Sequence, residues 1–173
     1  MTPAEFVPRV LAPGAAFLEA LTGTHTNEAA QQFLMTVALQ ESGLVHRFQQ
    51  IGNGVPGPAR GFWQFEQNAI HARPAKGREW GLLIHGTSAP RLRVVCDALS
   101  IEPTGSAIWR AIEGNDLLAF ACARLLLLTD MDPVPLDRQA AWLLYANVLW
   151  RPGKPHPDKW PNNWAAAKAA LGG

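Results

Sequence analysis

Apolar residues recur along most of this chain at three- and four-residue spacing, the period of helices that bury one face. A Pro-punctuated helix is expected over residues 4–21, then, after a Gly-Thr-His-Thr turn, a second over 27–40 with Thr26 as its N-cap. Further helices are expected over 67–72, which Pro74 ends, and over 88–99, 106–113, 116–128, 136–148 and 163–171. Gly, Pro, Asn or Asp marks each junction. The pattern changes between Gly43 and Phe65, where Gly and Pro are dense and β-formers flank them: Val45, Phe48 and Ile51, then Phe62, Trp63 and Phe65. That stretch predicts a small β-hairpin, the one β-like region of the chain. Residues 150–163, rich in Pro and Trp, are expected to form an ordered surface loop. With no repeat and no long linker, the expectation is one domain over 1–173, α+β and predominantly α.

Composition narrows the function classes. A hydrophobic content of 48% is enough to fill a core, and 15 Lys+Arg against 14 Asp+Glu leave no basic excess of the kind nucleic-acid binding requires. The longest apolar run, residues 117–128, is interrupted by Arg124 and falls short of the ~20 residues of a bilayer span, so a core helix is expected and no membrane insertion. The first residues lack a basic region and are broken by Pro3, Pro8 and Pro13, so no secretory signal is expected. Cys96 and Cys122 read as buried reduced thiols, and no His, Cys or carboxylate cluster has metal-ligand spacing, so neither metal nor cofactor is expected. The unusual entry is aromatic: seven Trp against a single Tyr.

One carboxylate breaks the pattern. On the second helix Phe33, Leu34, Val37 and Ala38 mark a buried face, and Glu41 is its next member, just before Ser42-Gly43. Partial desolvation and the negative end of the helix dipole both favour its neutral form. A rise of about two pKa units corresponds to roughly 2.7 kcal/mol, which general acid catalysis would justify. The alternative is a Glu that pairs with Arg47 or Arg60, or turns into water at a frayed end.

Glu41-Ser42-Gly43 at a helix end, followed by a Gly/Pro-rich hairpin and then Gly61-Phe62-Trp63-Gln64-Phe65, resembles the "E-S" and "G-L-M-Q" motif pair of the lytic transglycosylases and goose-type lysozymes. Phe62 and Trp63 stand where the family has Leu and Met, a version similar to the short domains of bacteriophage virions and endolysins. The resemblance covers residues 26–65 and extends to Tyr145. It implies a lysozyme-like fold with the hairpin inserted after the catalytic helix, peptidoglycan glycan strands as substrate, and Glu41 as the sole catalytic acid/base. It further implies a lytic transglycosylase that cuts the MurNAc-GlcNAc β-1,4 bond and leaves 1,6-anhydro ends. A phage virion, or the host cytoplasm before delivery to the cell wall, is the implied location, with virion or secretion-machine proteins as candidate partners. A hydrolytic goose-type lysozyme and a non-catalytic wall-binding module of the same fold stand as alternatives.

By the same resemblance Ser42 and Gln64 contact the sugar or the acid, Tyr145 reaches the Glu with its hydroxyl, and Trp63 lines the cleft. Each also has a plain reading: Ser42 as a C-cap hydroxyl, Gln64 as a solvent-facing strand residue, Tyr145 and Trp63 as core aromatics. The family's Tyr is directly followed by Asn, whereas here Asn147 lies two positions on. Glu66 occupies the place of an Asp implicated in holding the hydrolytic water in goose-type lysozymes; pointing into the cleft it favours hydrolysis, and in the first turn of the next helix it is structural. His46, Arg47, His71 and Arg73 flank the two motifs as candidate rim residues, and Arg151 and Lys154 bring cations beside Trp150. The seven Trp then divide: Trp80, Trp109 and Trp142 in the core, and Trp63, Trp150, Trp160 and Trp164 around a sugar-binding cleft.

Overall fold

Thr2 opens the first helix with a reciprocal cap, accepting from the Glu5 N–H while the Glu5 carboxylate accepts from the Thr2 N–H. The structure, a computed structural model, describes the backbone of residues 1–52, 55–71, 73–75 and 78–172, and the side chains of those outside 73–80. Helix α1 runs through Pro3–Phe6, a π-helical Val7–Leu11 and Ala12–Thr22, and Gly23 ends it at φ 68°. Helix α2, Glu28–Ser42, is capped by Asn27, whose side chain accepts from the Ala30 N–H, rather than by the expected Thr26. Gly43, at φ 57°, stops it.

Strands β1, Phe48–Ile51, and β2, Val55–Arg60, pair antiparallel with Phe48 opposite Arg60, in the place the Gly/Pro punctuation predicts. The hairpin is strapped to the helices that follow. Arg60 pairs with Glu113 at 2.8 Å and lies 4.4 Å from the centre of the Trp109 ring, while the Trp109 indole donates to the Pro58 carbonyl at 2.7 Å. After the short α3, Gln67–Ile70, comes a second antiparallel pair, β3 (Arg73–Ala75) with β4 (Arg78–Trp80). Reading the first hairpin as the sole β region therefore needs correction: three-residue strands built on Arg-Pro-Ala and Arg-Glu-Trp carry no apolar alternation to detect. Trp80 as a core residue and Arg73 as a rim cation lie outside the described side chains.

Helices α4 (Ser88–Ala98), α5 (Gly105–Ile112) and α6 (Asp116–Leu127) follow the predicted periods. Helix α6 is buried on almost every side, with α1 and α4 packed against it. At Gly14 of α1 a Cβ would fall 2.4 Å from the Phe120 ring, so only glycine permits that crossing. Helix α7 covers Arg138–Leu143 and continues as a π-helix over Leu144–Leu149. Helix α8, Trp160–Ala170, begins three residues earlier than expected, with Pro161 in its first turn, and lies along α2. The result is mostly helical with small antiparallel β elements. Cys96 and Cys122 are buried free thiols, and no described helix is long and apolar enough to cross a membrane.

Candidate active site

The stripe on α2 is buried as the spacing requires, with Phe33, Leu34, Val37 and Ala38 all at 0% exposure. Glu41 continues it one turn on, half-buried at the end of the helix. The Ser42 hydroxyl donates to the Ala38 carbonyl at 2.9 Å and accepts from the Leu44 N–H at 3.2 Å, so Ser42 caps the helix rather than reaching into the cleft. The capped end holds the Glu41 carboxyl at one edge of a cleft of about 710 Å³, within the ~300–1,000 Å³ usual for ligand sites. Gln64, Phe65 and Glu66 line it from the hairpin side, and Tyr145, Trp150 and Lys154 from the C-terminal part.

Tyr145 donates its hydroxyl to Glu41 Oε1 at 2.7 Å across 104 residues of sequence. Desolvation pushes the Glu41 pKa up to about 7; the Tyr145 bond opposes that rise and the nearby Glu66 charge adds to it. The Tyr145 hydroxyl is itself pushed far above its ordinary value by burial and by Glu41, so it stays a proton donor to the carboxyl. Its ring is fixed by stacking on Trp160, with centroids 5.0 Å apart and planes 17° from parallel, and by Trp142 at 5.5 Å. Replacing Tyr145 by Phe removes the hydrogen bond that favours the charged form. We expect the Glu41 pKa to rise further above about 7, by the equivalent of one charge-assisted bond, ~1.5–3 kcal/mol. Carboxyl-carbon NMR across a pH titration checks this, and an unchanged or lower value would contradict the assigned role.

Tyr145 lies in the π-helical turn over Leu144–Leu149. Its carbonyl accepts from the Trp150 N–H at 3.0 Å and the Arg151 N–H at 3.1 Å, a wide turn that takes up one extra residue. Asn147 is exposed and does not line the cleft, so its substrate-binding assignment is corrected.

Gln64 sits in the loop that returns the chain from β2. Arg60 and Phe65 exchange backbone bonds at 3.0 and 2.8 Å, and Gln64 adopts φ 49°. Its side-chain amide donates to the Gly61 carbonyl at 2.7 Å, fixing the group at the cleft wall. Gly61 is required there: φ is +72°, and a Cβ would lie 2.6 Å from Ile112 Cγ2. Trp63, in the same loop, is fully buried and donates to the Leu34 carbonyl at 2.8 Å, which corrects its placement as a cleft residue. Trp160 and Trp164 are buried as well, at 2% and 9% exposure. Of the four indoles expected around the cleft, Trp150 alone lines it, anchored by donation to the Trp63 carbonyl at 3.0 Å.

Glu66 occupies the N-cap position of α3 but caps nothing; its exposed side chain lines the cleft. Arg47 is not a rim residue, since its guanidinium pairs with Asp116 and covers the Phe62 ring at 4.5 Å. His46 lies beside Gln50, and His71 against Gly105, and neither lines the cleft. Sequence reasoning missed Gln49, a cleft residue whose buried Oε1 finds no partner among the described residues. A Gln on a β-strand carries no signal that separates it from a solvated one. Among the described residues no three His, Cys, Asp or Glu side chains converge to hold a metal ion. No family model, curated protein or solved structure matches the chain.

Proposed function

We propose that this protein is a peptidoglycan-cleaving enzyme of lysozyme-like fold, a lytic transglycosylase acting on the MurNAc-GlcNAc β-1,4 bond. The observation that carries the reading is the Glu41–Tyr145 pair at 2.7 Å on the edge of an aromatic-lined cleft, with Glu41 held protonated to about pH 7. A neutral carboxylic acid at that position can protonate the glycosidic oxygen as the C1–O bond breaks. The resulting carboxylate, which the Tyr145 hydroxyl stabilises, takes the proton from the sugar's own 6-hydroxyl as that oxygen bonds C1. The ring closes to a 1,6-anhydro end, Glu41 regains its proton, and no water is consumed. Trp150 offers an apolar face for a sugar, and the Gln64 side-chain oxygen, at the cleft wall, offers an acceptor to its hydroxyl or acetamido groups. The Phe-Trp form of the second motif supports a phage-borne enzyme, carried on a virion or made in the host cytoplasm and delivered to the wall.

One observation favours a second reading. Glu66 faces the cleft and its charge reaches Glu41, so a water held by Glu66 would make the reaction hydrolytic. Mass spectrometry of fragments released from purified peptidoglycan separates the two, because anhydro products are lighter by one water than reducing ones. With the transglycosylase, Glu66→Gln leaves anhydro products and lowers the rate by less than about tenfold; a hydrolase loses its reducing products by about 10²-fold or more. Reducing ends alone from the unmodified protein would overturn the transglycosylase reading.

A further inference from the structure

Glu41 borders two cavities. Beside the cleft lies a smaller hollow of about 460 Å³, lined by Leu39, Ser42, Lys159, Asn162 and Asn163 together with Gln40 and Glu41. Gln40 stands between the two: its amide nitrogen donates to the His156 carbonyl of the cleft wall at 3.0 Å, and its oxygen accepts from Asn163 in the hollow at 2.8 Å. The linings differ in kind. The cleft is lined by Phe65, Tyr145 and Trp150, with Trp150 the most exposed of the three rings, whereas the hollow has no aromatic ring and offers a lysine and two asparagines. Lys159 is exposed and makes no ion pair among the described residues.

We infer that the hollow takes the acidic peptide stem that hangs from the glycan, with Lys159 on a stem carboxylate and Asn162 on the peptide backbone, while the sugars occupy the cleft. This rests on the proposed glycan substrate. A sugar ring is bound through its faces, and the hollow supplies no face for it; a peptide needs amide partners and a counter-charge, which the hollow does supply. Because Glu41 belongs to both cavities, the hollow is adjacent to the bond to be cut, where a muramyl residue and its stem must lie. Lys159 would thus set a preference for stem-bearing over stripped strands.

The test compares glycan strands carrying tetrapeptide stems with the same strands stripped by an amidase. For Lys159→Ala we expect KM to rise about three- to tenfold on stem-bearing strands only, as suits one partly solvated charge contact, and Lys159→Arg to restore it. An equal change on both substrates, or none on either, overturns the inference. A parallel titration with the free tetrapeptide, followed by NMR at Asn162 and Asn163, does not depend on turnover. Peptide uptake by a protein that cuts neither substrate would overturn the enzymatic reading and leave the hollow's ligand standing; cleavage with no peptide-induced shift would do the reverse.

Discussion

Glu41→Gln is expected to reduce release of soluble glycan fragments from peptidoglycan by about 10³-fold or more while the protein stays folded, because the amide cannot donate a proton to the leaving oxygen. The same substitution should stabilise the fold, and only at higher pH. The native carboxyl titrates near 7 against 4.5 in the unfolded chain. Below pH 4.5 both states hold the proton, and the full contribution of the neutral, buried acid is present. As pH rises from 4.5 the unfolded chain ionises first, and native stability falls until the native group also ionises near 7. That loss amounts to ~3 kcal/mol at about 1.4 kcal/mol per unit. Gln has no such loss, so the variant should exceed the unmodified protein by up to about 3 kcal/mol at pH 8 and match it at pH 4. Urea unfolding at the two pH values measures this. A gain of equal size at pH 4 would assign the effect to packing rather than ionisation. Equal fragment release by both proteins would sink the assignment of Glu41 as the catalytic acid, and none by either would sink the enzymatic proposal and favour a wall-binding module.

The candidate site is legible in the sequence only in part. Glu41 stands out because it continues an apolar stripe of period 3.6 onto a helix end, and Gly43, two residues on, fixes where that helix stops. Gly61 and Gln64 are picked out in the sequence only by their resemblance to a motif; the left-handed loop that places them, with Gln64 itself at φ 49°, has no signature in the spacing. Tyr145 was suggested by order alone; what brings it to Glu41 is the aromatic stack with Trp160 and the π-helical turn, and neither leaves a periodic trace. The Trp residues misled for a physical reason. An indole is both the largest apolar surface available to a core and the best platform for a sugar, and composition cannot separate the two uses. Trp160 shows how they merge, since it serves the cleft from behind by holding the ring that holds the acid.

Trp63 gives the largest expected effect on stability. It is fully buried, with its ring centroid 5.8 Å from Phe6 of α1 and 5.9 Å from Phe120 of α6, and its N–H meets the Leu34 carbonyl of α2. One side chain thereby joins the loop that carries Gln64 to three helices. Trp63→Ala should cost about 3–5 kcal/mol from the cavity left behind. That lowers Tm by roughly 10–15 °C in a chain of this length. Trp63→Phe keeps most of the ring and loses the hydrogen bond, for a smaller cost of ~1–2 kcal/mol. The contrast with a sugar-stacking role is sharp: such a role predicts a raised KM on glycan strands with stability unchanged, whereas a core role predicts lost stability with KM held in the folded Trp63→Phe protein. Trp150 should keep its place in both variants, because the Trp63 atom it bonds is a backbone carbonyl that substitution leaves intact.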